Sequence, residues 1–416
     1  MKAAGTRIHF FVIALTLVLV NWRATTPDIV RVRTDGIDPV AALEMAVAVG
    51  LGATLLLLLR RAGLLRNYVH AWRKQPLLVL FSAFALLSLV WSVSPLASLY
   101  KWTMFALATL VGSYLGFRLS ARGLLEVLFW YGAFVMILSA AMSLIVPPAG
   151  RMFPPIDNAW RGIFWHKNHL GTLVALLSLV YLYRLADNLH HNRAIMVIDG
   201  LFYLSSILIV WLSRSATGFL VLLAGTSLSA LAFVWQRARS RLRWHHYGLA
   251  LALGVGALVS LAFHLETLLA MLGKETTLTG RIPMWQSVLS GFSSQRPVLG
   301  YGMGAFWNSL PNRLAVQQAA GWGWPVAIGD NGWLDVLLSL GGAGLGVFLV
   351  LLLAMVMHSV ARMRQGRGFA DSLPLVFLLS ACLANVAFSL FFEIESGVWL
   401  ILIACLFLRS SRDEAP

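Results

Sequence analysis

Apolar runs long enough to cross a bilayer recur along nearly the whole chain, and no other feature restricts the fold as strongly. A spanning helix needs about 20 mainly apolar residues, somewhat fewer where flanking residues snorkel. Twelve such runs are present, at 8–22, 39–59, 77–93, 101–118, 124–146, 169–185, 195–212, 217–235, 247–270, 333–357, 373–391 and 394–408. The sequence therefore predicts an all-α integral membrane protein of about twelve transmembrane helices. Composition agrees: 59% of residues are hydrophobic and 12% charged, about half the charge of a soluble chain. That balance excludes an ordinary soluble enzyme, a disordered chain and a disulfide scaffold. Cys382 and Cys405 sit inside apolar runs, so no cysteine framework or cysteine-based metal site is expected. The first run follows Lys2 and Arg7 as in a signal peptide. No small-residue cleavage site follows Val20-Asn21-Trp22-Arg23, and the run reads as a retained helix.

The net charge of +15 raises nucleic acid as a partner, and its distribution points to the bilayer instead. With the N-terminus in the cytoplasm, 20 of the 32 Lys and Arg fall on the inner side. The densest clusters, Arg60, Arg61, Arg66, Arg73, Lys74 and Arg237, Arg239, Arg241, Arg243, are both inner. This positive-inside pattern puts both termini in the cytoplasm and the basic excess against anionic lipid. The chain divides into helices one to nine (1–270), a large outer loop (271–332) and helices ten to twelve (333–416). Long loops are usually functional or disordered. This one holds Trp285, Phe292, Tyr301, Phe306, Trp307, Trp322 and Trp324, too aromatic for a disordered linker. It is expected to pack as a cap, with Leu310–Ala320 as a short helix on the membrane face.

Four outer segments combine cations, hydrogen-bonding groups and glycine. Arg161-Gly-Ile-Phe-Trp-His-Lys-Asn168 gathers Arg161, His166, Lys167 and Asn168 at the membrane surface, either as a snorkelling anchor or as a binding group. Ser213-Arg-Ser215 fills a hairpin, where an unpaired Arg214 is expensive; it is a snorkelling cap or the partner of a buried anion. Thr279-Gly-Arg281-Ile-Pro-Met-Trp285 is followed by Arg296-Pro-Val-Leu-Gly-Tyr-Gly-Met-Gly304. Gly300, Gly302 and Gly304 superficially suggest a nucleotide loop, but no strand precedes them and no acidic partner follows; tight turns are the better reading. Asp330-Asn331-Gly-Trp-Leu-Asp335 opens the tenth span. Asp330 is either a helix N-cap or a carboxylate base beside cations, and Asp335 is a second polar group one turn deeper. Glu393 and Glu395 lie in the last hairpin, as functional carboxylates or as charge balance for the arginines.

Arg161, Lys167, Arg214 and Arg281 thus face few carboxylates and many tryptophans. Guanidinium forks match phosphate oxygens, and aromatic faces suit sugar rings. The set describes a site for an anionic lipid-linked glycan. No hard-oxygen set or paired histidines for a metal are evident.

The ordered series Arg161–Gly171, Ser213-Arg-Ser215, Gly280-Arg-Ile-Pro-Met-Trp285, Pro297–Phe306 and Asp330–Gly341 resembles the O-antigen ligase and polysaccharide polymerase superfamily. Span count and the position of the long loop agree. The resemblance implies an all-helical membrane glycosyltransferase of the GT-C type in the bacterial inner membrane. It implies an undecaprenyl-diphosphate-linked glycan as donor, a periplasmic site, and no metal, nucleotide sugar or other cofactor. On this basis Arg161, Arg214 and Arg281 hold the donor diphosphate, assisted by Lys167. Many ligases have His-Asn where this chain has Asp330-Asn331, and that histidine is the proposed base. Asp330 is accordingly the candidate base and His166 the reserve. Asn168, Asn331, Trp285, Trp333 and Glu395 are candidate glycan or acceptor contacts. His166-Lys167-Asn168 and Glu395-Ser396 look more like exopolysaccharide polymerases than ligases acting on lipid A-core; a chain-length regulator is a candidate partner. The competing classes are a lipid-linked glycan transporter, which usually shows repeated halves, a cell-wall glycan polymerase of the rod-shape type, which would carry different motifs, and a purely structural membrane partner.

Overall fold

The computed structural model describes residues 32–33, 36–37, 39–152, 158–188, 192–238, 281–321, 326, 328–366, 369–391 and 397–408. Apart from a two-residue antiparallel ribbon, β1 (Val32–Arg33) and β2 (Gly36–Ile37), the regular structure there is helical. The helices are α1 (Pro39–Arg61), α2 (Leu65–Arg73), α3 (Pro76–Leu87), α4 (Pro95–Arg118), α5 (Ala121–Ile145), α6 (Lys167–Asn188), α7 (Arg193–Ser213) and α8 (Ala216–Ala238). They continue with α9 (Arg281–Ser287), α10 (Leu310–Ala320), α11 (Gly332–Gln365), α12 (Leu373–Ala387) and α13 (Val398–Phe407). Proline supplies several helix starts, at Pro76 and Pro95 for α3 and α4, where its missing N–H costs nothing. Ser120 caps α5 and Asn192 caps α7 through side-chain oxygens.

Among the described residues seven helices are long and apolar enough to cross a membrane: α1, α5, α6, α7, α8, α11, and α12 extended back to Phe369. The predicted runs at 8–22 and 247–270 lie outside the described residues. Four expectations are altered. The run at 101–118 forms part of α4, which is not among those seven. The run at 77–93 belongs to α3 and a following turn, and the preceding α2 meets it at 87°. The predicted run to 391 ends at Ala387, because the Asn385 side chain takes the amides of Leu390 and Phe391 at 2.9 and 3.3 Å. The last helix, α13, has ten residues, too few to cross a bilayer unaided.

Helix α6 is the centre of the bundle. Residues 167–181 are buried without a break, and α5, α7, α8 and α12 pack around it. The outer faces are apolar, with Leu201, Leu204, Leu208 and Trp211 exposed on α7 and Trp130 and Ile137 on α5, as lipid contact requires. A second packing unit joins α4 to α13. A Cβ at Gly112 or Gly116 would collide with the backbone carbonyls of Leu400 and Ala404, so these small residues let the two backbones touch.

The two ends of the bundle differ. At one end Arg184 of α6 bonds Asp199 of α7 at 2.9 Å and also pairs with Glu126 of α5, while Arg122 pairs with Asp187 at 3.1 Å. Arg362 of α11 lies 3.3 Å from Asp371 and donates to the Leu408 carbonyl at 3.0 Å. At the other end the connections at 88–94, 158–166, 213–215, 297–309, 328–331 and 388–391 interlock, and the candidate residues sit among them.

Candidate functional site

The break in α11 explains how the loop after α9 reaches the bundle. At Gly341 the backbone turns to φ 67°, ψ −171°, which only glycine adopts readily. Breaking a helix among apolar neighbours strands amides and carbonyls that must find partners. The segment Pro297–Gly302 supplies them. The amides of Tyr301 and Gly302 donate to Leu338 and Ser339 at 2.8 and 2.9 Å, and those of Gly342 and Ala343 donate to Pro297 and Val298 at 2.7 and 3.1 Å. Gly300, Gly302 and Gly304 all have positive φ, so the glycine triplet forms tight turns as expected. The same segment is sewn to the end of α3, where Val93 donates to Tyr301 at 3.0 Å and the Trp91 indole to Leu299 at 2.8 Å. Burial raises the Tyr301 phenol, with Arg296 acting in the opposite direction.

Above this stitch the described part of the loop has its own small core. Met284, Val288, Tyr301, Phe306 and Val316 pack with Leu334 and Leu338 of α11. The helix α10 falls at Leu310–Ala320, as the sequence predicts.

Arg281, at the start of α9, points at Asp330. Its Nε and Nη2 donate to Asp330 Oδ2 at 3.0 and 2.7 Å, and Nη1 donates to the carbonyl of Ala387 at 3.1 Å. Both side chains keep some access to solvent, 15% for Arg281 and 19% for Asp330. Asp330 does not cap α11. Asn331 does, accepting from Trp333 and Leu334 at 3.1 and 3.2 Å, while Asp330 adopts a left-handed φ of 47° that turns its carboxylate toward Arg281. The Trp285 indole donates to Gly329 at 2.8 Å, holding the same turn. Trp333 packs on Phe391 and Phe348, so its ring faces the core.

A second group forms around the start of α6. Arg161 donates to the carbonyls of Ala149 at 3.0 Å and Trp165 at 3.3 Å, and partial burial lowers its guanidinium from the ordinary value. His166 Nδ1 accepts the Asn168 amide at 3.2 Å, which puts the proton of a neutral ring on Nε2. Lys167 and Asn168 are buried in the first turn. The Trp160 amide donates to Leu212 at 3.0 Å, joining this segment to the Ser213-Arg214-Ser215 hairpin. Arg214 is exposed, with a left-handed φ of 48°, and forms no ion pair among the described residues.

The two groups meet through His169, whose ring stacks on Phe164 and lies edge-on to Phe388, one residue beyond the carbonyl that Arg281 holds. The structure thus joins Arg281 with Asp330, and Arg161, His166 and Lys167 with the Arg214 hairpin. Glu395 lies outside the described residues. Sequence reasoning missed Trp307, Ser389 and the Ala387 carbonyl. An aromatic in a long loop was the only signal for Trp307, and the others carried none. Among the described residues no three His, Cys, Asp or Glu side chains form a group able to hold a metal.

No curated protein matches the chain. The matched family segment covers Arg214, Arg281, Trp285, Asp330, Asn331 and Trp333 and begins after Arg161–Asn168. Residues 201–349 are similar to the family model for O-antigen ligase, in line with the O-antigen ligase and polymerase superfamily that the motifs resemble.

Proposed function

We propose that this chain is a membrane glycosyltransferase. In this reading it moves a glycan from an undecaprenyl diphosphate carrier to a glycan acceptor on the periplasmic face of the bacterial inner membrane. The observation that carries the reading is the family match over the segment that bears Arg214, Arg281 and Asp330. An acceptor hydroxyl attacks the anomeric carbon opposite the leaving diphosphate; the new carbon–oxygen bond forms as the bond to phosphate breaks, with inversion. The hydroxyl proton passes to a base, and negative charge collects on the departing phosphate oxygen. Arg281, Arg214 and Arg161, with Lys167, neutralise that charge without a metal, as preorganised donors aimed at developing charge do.

Asp330 is the proposed base. Arg281 occupies its Oδ2 alone, which leaves Oδ1 for the acceptor hydroxyl. Donor phosphate oxygens compete with Asp330 for the same guanidinium fork, so arrival of the donor frees the carboxylate for proton transfer. His166 in reserve would have to adopt the other tautomer and give up the α6 amide it holds. Asn168, Asn331 and Glu395 are proposed acceptor contacts. Trp285 enters the reading as a support of the Asp330 turn through its indole N–H, and Trp333 as a packing residue on Phe391, rather than as sugar platforms. Polymerisation is favoured by His166-Lys167-Asn168; ligation to lipid A-core is the second reading and differs only in acceptor.

The test is transfer in purified membranes supplied with undecaprenyl-diphosphate-linked glycan and EDTA. Elongated glycan supports the polymerase, glycan on lipid A-core the ligase. Transfer that stops in EDTA and returns with a divalent ion would overturn the metal-independent mechanism, and no transfer under either condition would overturn the function.

A further inference from the structure

Asp335 lies one turn into α11, 8% exposed. A buried carboxylate is costly unless hydrogen bonds satisfy it, so its partners identify what it is kept for. Oδ1 accepts the indole N–H of Trp307 at 2.7 Å, and Oδ2 accepts the hydroxyl of Ser389. The Cα of Gly329 is pressed so closely on Oδ1 that a Cβ there would come within 2.6 Å. Three chain segments therefore meet on one carboxylate: the loop after α9, the turn before α11, and the stretch after α12. The turn before α11 also carries Asp330, and the stretch after α12 follows directly on the Ala387 carbonyl that Arg281, from the start of α9, holds. Nothing in the proposed chemistry uses Asp335.

We infer that Asp335 is a positioning residue for the Arg281–Asp330 pair, a tie beneath the site that fixes the turn carrying Asp330 against the end of α12, whose Ala387 carbonyl holds Arg281. The inference rests on the proposed glycosyl transfer and deepens it. Asp330 sits in a left-handed turn that a non-glycine residue adopts at a cost, so the turn needs support from below. Trp285 bonded to the Gly329 carbonyl holds it on one side, and Asp335 packed under Gly329 holds it on the other. Shifts of about 1 Å in such a constellation are enough to cost on the order of 100-fold in rate.

The experiment measures kcat and donor KM for the full-length protein in proteoliposomes, with undecaprenyl-diphosphate-linked glycan as probe, and the melting temperature of each variant. Asp335→Ala should lower kcat at least tenfold, with donor KM within twofold of wild type. Asp335→Asn should recover most of the turnover, because its carbonyl can accept from Trp307 and its amide can donate to Ser389. Ser389→Ala removes one bond with little change in volume and Trp307→Phe removes the other while keeping an aromatic ring, and each should lower kcat by more than any change in melting temperature explains; they keep the idea testable if Asp335→Ala folds poorly. Wild-type kcat in Trp307→Phe and Ser389→Ala together would overturn the inference. So would an Asp335→Asn variant as inactive as alanine at normal stability, which would mean that the charge itself is required. Wild-type turnover in Arg281→Ala and Asp330→Asn would instead overturn the reading of the site, and this inference with it.

Discussion

Arg281 places two guanidinium nitrogens on a single oxygen of Asp330, at 3.0 and 2.7 Å, across 49 residues of sequence. The sequence suggests separate roles for them, one a phosphate clamp and the other a base. Their direct bond makes the roles interdependent, since whatever takes the guanidinium also releases the carboxylate.

That interdependence predicts non-additive kinetics. Asp330→Asn alone should lose roughly 100- to 10,000-fold in turnover, the usual contribution of a general base. Arg281→Ala should lose on the order of 100-fold or more. Contacting residues couple, so the double variant should lose clearly less than the product of the two. Turnover equal to that product would show that the residues act independently. Asn331→Ala removes the actual cap of α11, about 1 kcal/mol of stability, and a proposed acceptor contact; it should lower stability and acceptor affinity while leaving the coupling intact.

The break at Gly341 should be intolerant of any side chain. Gly341→Ala forces a Cβ onto the carbonyl of Val298 at a backbone conformation that costs other residues about 1–3 kcal/mol. The expected result is a lower melting temperature and less folded protein on size-exclusion chromatography in detergent. A variant as stable as wild type would contradict the stitched break.

How much of this was readable beforehand depends on the range of the interaction. Apolar runs announce helices locally, which is why those expected at 124–146, 169–185 and 195–212 appear within a few residues as α5, α6 and α7. The turn role of Gly300, Gly302 and Gly304 was also legible, since no strand precedes them and no acidic partner follows. The Gly341 break was not, because Gly341-Gly342 inside an apolar run looks like ordinary small-residue packing until Pro297–Gly302 is beside it. Asp330 and Asn331 are equally good cap types, and only the left-handed turn at Asp330 decides that Asn331 caps. The elbow at α2 reads in the sequence as a basic connection, since its inward face is limited to Leu65, Tyr68, Ala71 and Trp72; Tyr68 meets Ser113 at 2.6 Å and Trp72 packs on Phe407.

At the opposite end of the bundle, Asp199 is fully buried against Arg184. Removing one member of a buried pair strands the other charge, at a typical cost of about 3–5 kcal/mol. Asp199→Ala should therefore unfold at a markedly lower temperature, whereas Glu126→Ala, whose side chain is 57% exposed, should change little. Equal melting temperatures for the two variants would contradict this ranking.

The proposed orientation predicts opposite compartments for Lys274 and Arg412. Reporter fusions at Lys274 should report the periplasm and those at Arg412 the cytoplasm, as the excess of inner Lys and Arg requires. The same compartment for both would sink the topology.

The most direct test of the central claim is the transfer rate of Arg281→Lys, measured in proteoliposomes with undecaprenyl-diphosphate-linked glycan and with protein level and donor binding recorded. Lysine keeps the positive charge but cannot reproduce the planar fork that reaches both Asp330 and the Ala387 carbonyl. The account predicts a loss of turnover nearly as large as that of Arg281→Ala; near-normal transfer by Arg281→Lys at normal protein level would contradict it.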